Sequence, residues 1–306
     1  MTSPGIPNEF SLSTTCFGAR LGKLEDQAFH AVAMGFRKME LGLVDAPPVL
    51  NGFEDARRET GVEITSLVAG CLKPKGENGA CAQLSSCNED EREQAVTSVR
   101  RHVQLAQRLG AKVVIIRGSE IADSKLNHEA DLLAARLTRE EPSDALRELV
   151  RGFVQRMNKK AAKPAENLCR SLHRLMSDFP DVKFAVEPGF AIDDLLSYVV
   201  MGWVLSDLAP KGLGYWHDMG RIQWRVRAGL PGQGEWLDSY VPHLIGIHLQ
   251  DAGEDEIEMP PGRGEIDFKL IGEYLPKAAL RVLEIDPRHG RAEILNSVQF
   301  LQSLGI

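Results

Sequence analysis

Four residues in the second half of the sequence carry side chains suited to metal and proton chemistry, and each comes late in a short apolar run. They are Glu187 in "FAVEPG", Asp218 in "YWHDMG", His248 in "IGIHLQD" and Glu284 in "RVLEID". Taken singly, an acid at such a position is ordinarily a turn former or a helix N-cap, and a histidine ordinarily makes a structural hydrogen bond. Recurrence on successive runs changes that reading. If the four ends converge, three carboxylates share one small volume, and each pair repels by about 4 kcal/mol at ~4 Å with an effective dielectric near ~20. Such a cluster calls for a cation. Three carboxylate oxygens and one imidazole nitrogen, with no thiolate, suit a single divalent ion of the hard to borderline kind: Mn2+, Mg2+, Co2+ or Zn2+. Octahedral coordination would leave two positions open, enough for the neighbouring oxygens of a hydroxyketone.

Convergence demands an architecture that gathers run ends at one point. Apolar runs of strand length recur along the chain at 10–16, 36–43, 62–70, 111–119, 182–189, 213–220, 244–251 and 280–286. Between them lie helical stretches: Lys23–Met34, Gly52–Thr60, Asp90–Leu109, a long stretch through Ser177, Asp193–Leu208, Glu235–Pro242, Phe268–Leu275 and Ala292–Leu304. Several end at a glycine suited to a left-handed C-cap, as in "AMGF", "RETGV" and "QRLGAK". Eight strand-then-helix units predict an α/β fold of the (β/α)8 TIM barrel class, forming one domain over 1–306. An open doubly wound sheet would carry a glycine-rich phosphate loop after its first strand, and none is present. Residues 120–176 exceed what a minimal barrel needs and read as an enlarged helical excursion after the fourth strand.

Composition narrows the partners. A formal charge of -7 with no long Lys/Arg block argues against nucleic acid, and no run approaches a membrane span. The N-terminus lacks a basic region followed by an apolar run, so a soluble cytoplasmic protein is expected. The charges of the excursion read as a solvated face, with a partner-binding or homo-oligomer surface as the alternative. The spacing of Cys71, Cys81 and Cys87 matches no zinc template, so these read as reduced loop cysteines rather than a metal or redox group.

The ordered set "GFRKMELG", "VKFAVEPG", "HDMG", "IHLQD" followed by "PPGRGEIDF", and "VLEI" resembles the xylose isomerase-like TIM barrel superfamily, specifically its sugar phosphate isomerase/epimerase branch, over nearly the whole chain. The resemblance implies one divalent metal held by Glu187, Asp218, His248 and Glu284, with Glu187 and Glu284 as the acid/base pair, a small carbohydrate substrate and an enediolate intermediate. The same site in a lyase would instead expel a β-hydroxyl from a keto-polyol. A substrate-binding histidine that many of these epimerases place three residues after the sixth-strand aspartate is here Arg221, which suits a carboxylate or phosphate. The abasic-site endonuclease branch needs further His and Asp ligands, which Arg221 and "GRGEID" do not supply.

The remaining candidate substrate contacts are Glu40, Arg117, His217 and Arg263. Glu40 and Arg117 end the second and fourth strands, where rim salt bridges explain them equally well. His217 neighbours Asp218 on a strand whose side chains alternate, so with Asp218 inward it is expected to face away, as a structural histidine or a partner behind the ligands. Arg263 lies in a glycine-flanked loop suited to an anion, and Asp251 is expected to orient that loop. Trp203, Trp216, Trp224 and Trp236 are expected to pack in the core, with a sugar platform as the alternative.

Overall fold

The computed structural model describes residues 6–43, 49–71, 83–119, 121–254 and 256–306. Strands β1 (Phe10–Ser13), β2 (Lys38–Leu41), β3 (Glu63–Val68), β4 (Val113–Arg117), β5 (Lys183–Glu187), β6 (Gly214–Asp218), β7 (Leu244–Leu249) and β8 (Leu280–Leu283) close into a barrel in chain order. All pairings are parallel, including β8 with β1. Each strand falls inside one of the apolar runs, because a parallel strand covered on both faces needs nearly continuous apolar sequence.

Helices α1 (Leu24–Met34), α2 (Phe53–Thr60) and α3 (Glu89–Leu109) follow the first three strands. The predicted excursion resolves into α4 (Ser124–Arg139), α5 (Asp144–Lys160) and α6 (Ala162–Asp178). Since α6 packs beside both α3 and the next barrel helix, it fills the ordinary place between β4 and β5, and α4 and α5 are the surplus. The ring is completed by α7 (Tyr198–Leu208), α8 (Met219–Arg227), α9 (Gln233–Tyr240), α10 (Phe268–Tyr274) and α11 (Arg291–Ser303).

Two boundaries differ from expectation. The helix expected from Asp193 begins only at Tyr198, after Ser197 caps it by accepting from Val200 N–H. Asp194 is held out of the helix because its carboxylate accepts from the backbone N–H groups of Ser119 and Leu196. Conversely, α8 starts directly after β6, where no helix was expected, because Asp218 accepts from Arg221 N–H as its N-cap.

The core has two layers. The larger lies between barrel and helices, and the smaller fills the barrel itself with Val68, Val113, Ile115, Ala185, Trp216 and Val282. Trp216 fits there because β7 offers Gly246, where an added Cβ would stand 2.1 Å from the indole. Strand alternation then sets what stands above this apolar floor: Arg117 two residues beyond Ile115, Glu187 beyond Ala185, Asp218 beyond Trp216, His248 beyond Gly246 and Glu284 beyond Val282.

Trp216 and Trp236 are buried as expected, while Trp203 is exposed and Trp224 lies tilted against Phe190. Cys81 lies outside the described residues and Cys87 is at the surface. Burial, followed by the Glu40 carboxylate, pushes the Cys71 thiol up to about 12, which leaves it a small apolar side chain. No helix among the described residues is long and apolar enough to cross a membrane.

Replacing Gly246 by Ala should lower stability by about 1–3 kcal/mol, since the indole has no room to retreat within the barrel. Urea denaturation should show a lower midpoint with an unchanged slope; an unaltered midpoint would mean that the interior is loosely packed.

Candidate active site

Each of the four residues singled out at the start reaches the C-terminal mouth of the barrel, where this fold places its active sites. Glu187, Asp218 and His248 stand at or near the ends of β5, β6 and β7, and Glu284 follows β8 by one residue. All four are fully buried, and they offer ligand atoms lying within 4.8 Å of one another. An ion bonded to oxygen or nitrogen at about 2.1 Å separates its donors by ~3 Å at right angles and ~4.2 Å across. The donor set thus has the spacing, charge and hardness for one divalent cation.

The imidazole is oriented for that purpose. His248 Nδ1 lies against Glu187 Oε1, 3.3 Å from Glu284 Oε2 and 3.7 Å from Asp218 Oδ2, so it faces the three carboxylates. Nε2 points the other way, 3.0 Å from Glu40 Oε1. The second Glu40 oxygen accepts from Ser66 Oγ at 2.7 Å. Glu40 is fully buried behind the histidine, where as an acceptor for an Nε2 proton it would leave the Nδ1 lone pair for a cation; this position supports the ion-pair reading of Glu40 over the substrate contact. Burial alone would depress the His248 pKa, yet Glu284, Glu40 and Glu187 hold it well above the ordinary imidazole value. A cation on Nδ1 would replace that proton.

Two arginines balance the acids. Arg117 donates from Nε to Glu187 Oε2 at 2.6 Å and from Nη2 to Glu284 Oε1 at 3.0 Å, bridging the two glutamates. Arg221 donates from its backbone N–H to Asp218 Oδ1 and from Nε to Asp218 Oδ2, both at 2.8 Å. Against the effect of burial, Arg221, then His248 and Arg117, hold the Asp218 carboxyl well below the usual carboxylate range. Glu284 is likewise lowered despite burial, chiefly by Arg117 and then His248. Gln250 completes the ring, donating to Asp218 Oδ1 at 3.1 Å and to Glu284 Oε2 at 3.3 Å.

The other expected contacts stand elsewhere. His217 is fully buried on the outer face of β6, between the Tyr215 hydroxyl and Gln233 Oε1, each at 2.8 Å. Burial lowers its pKa to about 4, and both ring nitrogens have protein partners, so the outward, structural reading of His217 fits this geometry better than a substrate contact. Arg263 is half-exposed and paired with Glu293 at 3.0 Å, away from the four ligands. The loop around it is filled by the Asp251 carboxylate, which accepts from Gly262, Gly264 and Ile266 N–H, the orienting role expected of Asp251.

One residue escaped sequence reasoning. Glu258, in the loop after β7, has a carboxyl within electrostatic reach of Glu284, Arg117, Arg221 and Asp218. Burial, followed by Glu284, pushes it up to about 7. No apolar periodicity marks it, and only its place just before "MPPG" could have drawn attention.

No protein-family profile matches the sequence, and no curated protein matches it. Solved structures do match by fold. D-psicose 3-epimerase from Clostridium cellulolyticum H10, solved with D-tagatose, superposes with TM-score 0.64 and 12% identity over 96% of this chain and 98% of that one. The 3-keto-D-glucoside 4-epimerase of E. coli, in its apo form, gives TM-score 0.63 and 12% identity over 97% and 100%. A xylose isomerase-like TIM barrel protein from Mycobacterium smegmatis in complex with magnesium gives TM-score 0.54 and 12% identity over 96% and 95%. The shared architecture is the (β/α)8 barrel expected from the sequence.

Glu40→Gln should weaken Mn2+ binding by about 10–100-fold, the usual effect of removing the partner that orients a histidine ligand. Calorimetric titration of the purified protein measures this; equal affinity in the variant would detach Glu40 from the metal centre.

Proposed function

We propose that this chain is a divalent-metal-dependent sugar isomerase or epimerase that moves a proton beside the carbonyl of a sugar-like hydroxyketone. The observation that carries the reading is the convergence of Glu187, Asp218, His248 and Glu284 on one point, with a single guanidinium joining the two glutamates. The sugar epimerases among the structural matches support the same class, as does the magnesium-bearing one for the cation.

Asp218 and His248 are holding groups in this reading, since each is tied to a partner of its own, Arg221 and Glu40. Glu187 and Glu284 would hold the ion and also carry the proton. A bound divalent ion supplies the Lewis acid that polarises the substrate carbonyl and acidifies the adjacent C–H. Arg117 lies between the two glutamates, 2.6 Å from Glu187 Oε2 and 3.0 Å from Glu284 Oε1, where one guanidinium would balance the single negative charge of a pair in which one member is protonated. One glutamate, ionised, would remove the proton; the other, entering protonated, would give its own proton from the opposite face to form the epimer, whereas return of the abstracted proton to the neighbouring carbon would form the aldose/ketose isomer. The apolar floor of Trp216, Val282 and Ala185 lowers the local dielectric and strengthens each of these charge interactions.

Metal-loaded protein in D2O should incorporate deuterium next to the carbonyl of a ketose substrate, and Glu284→Gln should slow this by about 10²–10⁴-fold. Chelation should abolish exchange and Mn2+ or Mg2+ should restore it. Full exchange in the Glu284→Gln variant would remove the acid/base assignment, and loss of water to an ultraviolet-absorbing product would identify a dehydratase instead.

A further inference from the structure

The positive groups expected to bind an anion at the mouth are already engaged by this chain's own carboxylates. Arg117 lies between Glu187 and Glu284, and Arg221 is bound twice by Asp218. The glycine loop that could cradle a phosphate instead encloses Asp251, and Arg263 is paired with Glu293. Four fully buried carboxylates, those of Glu40, Glu187, Asp218 and Glu284, face two guanidiniums, so a doubly charged ion would bring the centre only to neutrality, and with Glu258 beside them acidic groups are in excess of basic ones.

Glu258 adds to this excess in a specific way. It is the non-glycine residue with positive φ, 58°, among the described residues, a conformation that a side chain with a Cβ adopts only when its surroundings impose it. Here they do. Its N–H donates to Gln250 Oε1 at 2.8 Å, its carbonyl accepts from Asp286 N–H at 2.8 Å, and the next residue, Met259, pairs with Asp251 through both backbone groups. Gln250 is the same side chain that donates to Asp218 and Glu284, so the strap carrying Glu258 is fixed to the ligands themselves. Among the described residues no hydrogen bond or ion pair engages the Glu258 carboxylate, although it is partly buried beside the site. A strained backbone, clamped at both ends, thus presents an unpartnered acid to the mouth.

We infer that the site takes an uncharged polyhydroxy ketone or aldose, and that Glu258 is a specificity-determining residue that binds a substrate hydroxyl and turns away phosphorylated and carboxylated sugars. This rests on the isomerase reading above for the reaction, but not for the charge preference. A carboxylate accepts from a hydroxyl in a strong charge-assisted bond, and it repels a phosphate whose counter-charges are already taken.

The test uses the full chain loaded with Mn2+, as wild type, Glu258→Gln and Glu258→Arg, titrated with free ketohexoses, with their 6-phosphates and with inorganic phosphate. Wild type should bind a free ketose at least about tenfold tighter than its phosphate, and Glu258→Gln should raise KM for the free sugar by about 10–100-fold, as loss of a hydrogen bond to a charged group does. Glu258→Arg should gain millimolar affinity for inorganic phosphate that wild type lacks. Equal or tighter binding of the ketose phosphate by wild type, wild-type affinity for inorganic phosphate, or an unchanged KM in Glu258→Gln each overturns the inference. If wild type neither binds nor exchanges any ketose, the isomerase reading fails, while the inorganic phosphate titration still decides the charge preference.

Discussion

Mutual repulsion among carboxylates buried over an apolar floor governs this structure. Glu40, Glu187, Asp218 and Glu284 have no exposure to water, and beneath them lie Trp216, Val282, Ala185 and other side chains without charge. In such surroundings like charges a few ångströms apart cannot be screened by solvent, and an ionised group without a partner would take up a proton instead. Each acid is therefore matched: Arg117 to two glutamates, Arg221 to Asp218, His248 to Glu40 and Glu187. The matching is incomplete, and a cation at the point the donors share would finish it. Removing any one partner would leave a buried charge exposed to its neighbours, which is costlier than the loss of a pair at the surface.

Much of this was legible in the sequence because the barrel translates order along the chain into position around a ring. The strands were found through continuous apolar runs, and the ligands through their recurrence at run ends, so "FAVEPG", "YWHDMG", "IGIHLQD" and "RVLEID" sufficed. What could not be read depends on contacts across the ring or on loop conformation. Glu40 looked like a substrate contact because its partner, His248, is 208 positions away. Arg221 looked like an anion receptor because the helix that turns it back onto Asp218 was not expected; an aspartate followed at the third position by arginine is compatible with an N-cap and an ion pair within one turn. Glu258 had no pattern at all, since its position follows from a left-handed residue in a strap that no periodicity encodes. His217 shows the opposite case, where the alternation of a strand did indicate an outward, structural side chain.

The way partners are distributed divides the four candidate ligands into two kinds. Asp218 and His248 each have a private supporter, Arg221 and Glu40, buried with them and unshared with the other ligands. Glu187 and Glu284 share Arg117. A private supporter fixes a ligand whatever happens nearby, which suits a group that only holds. A shared guanidinium links two carboxylates, because a proton arriving on one weakens its bond to Arg117 and leaves more of that positive charge for the other. A two-base transfer would need one glutamate ionised and the other protonated at the same moment, and a single guanidinium between them would balance the one negative charge of that state.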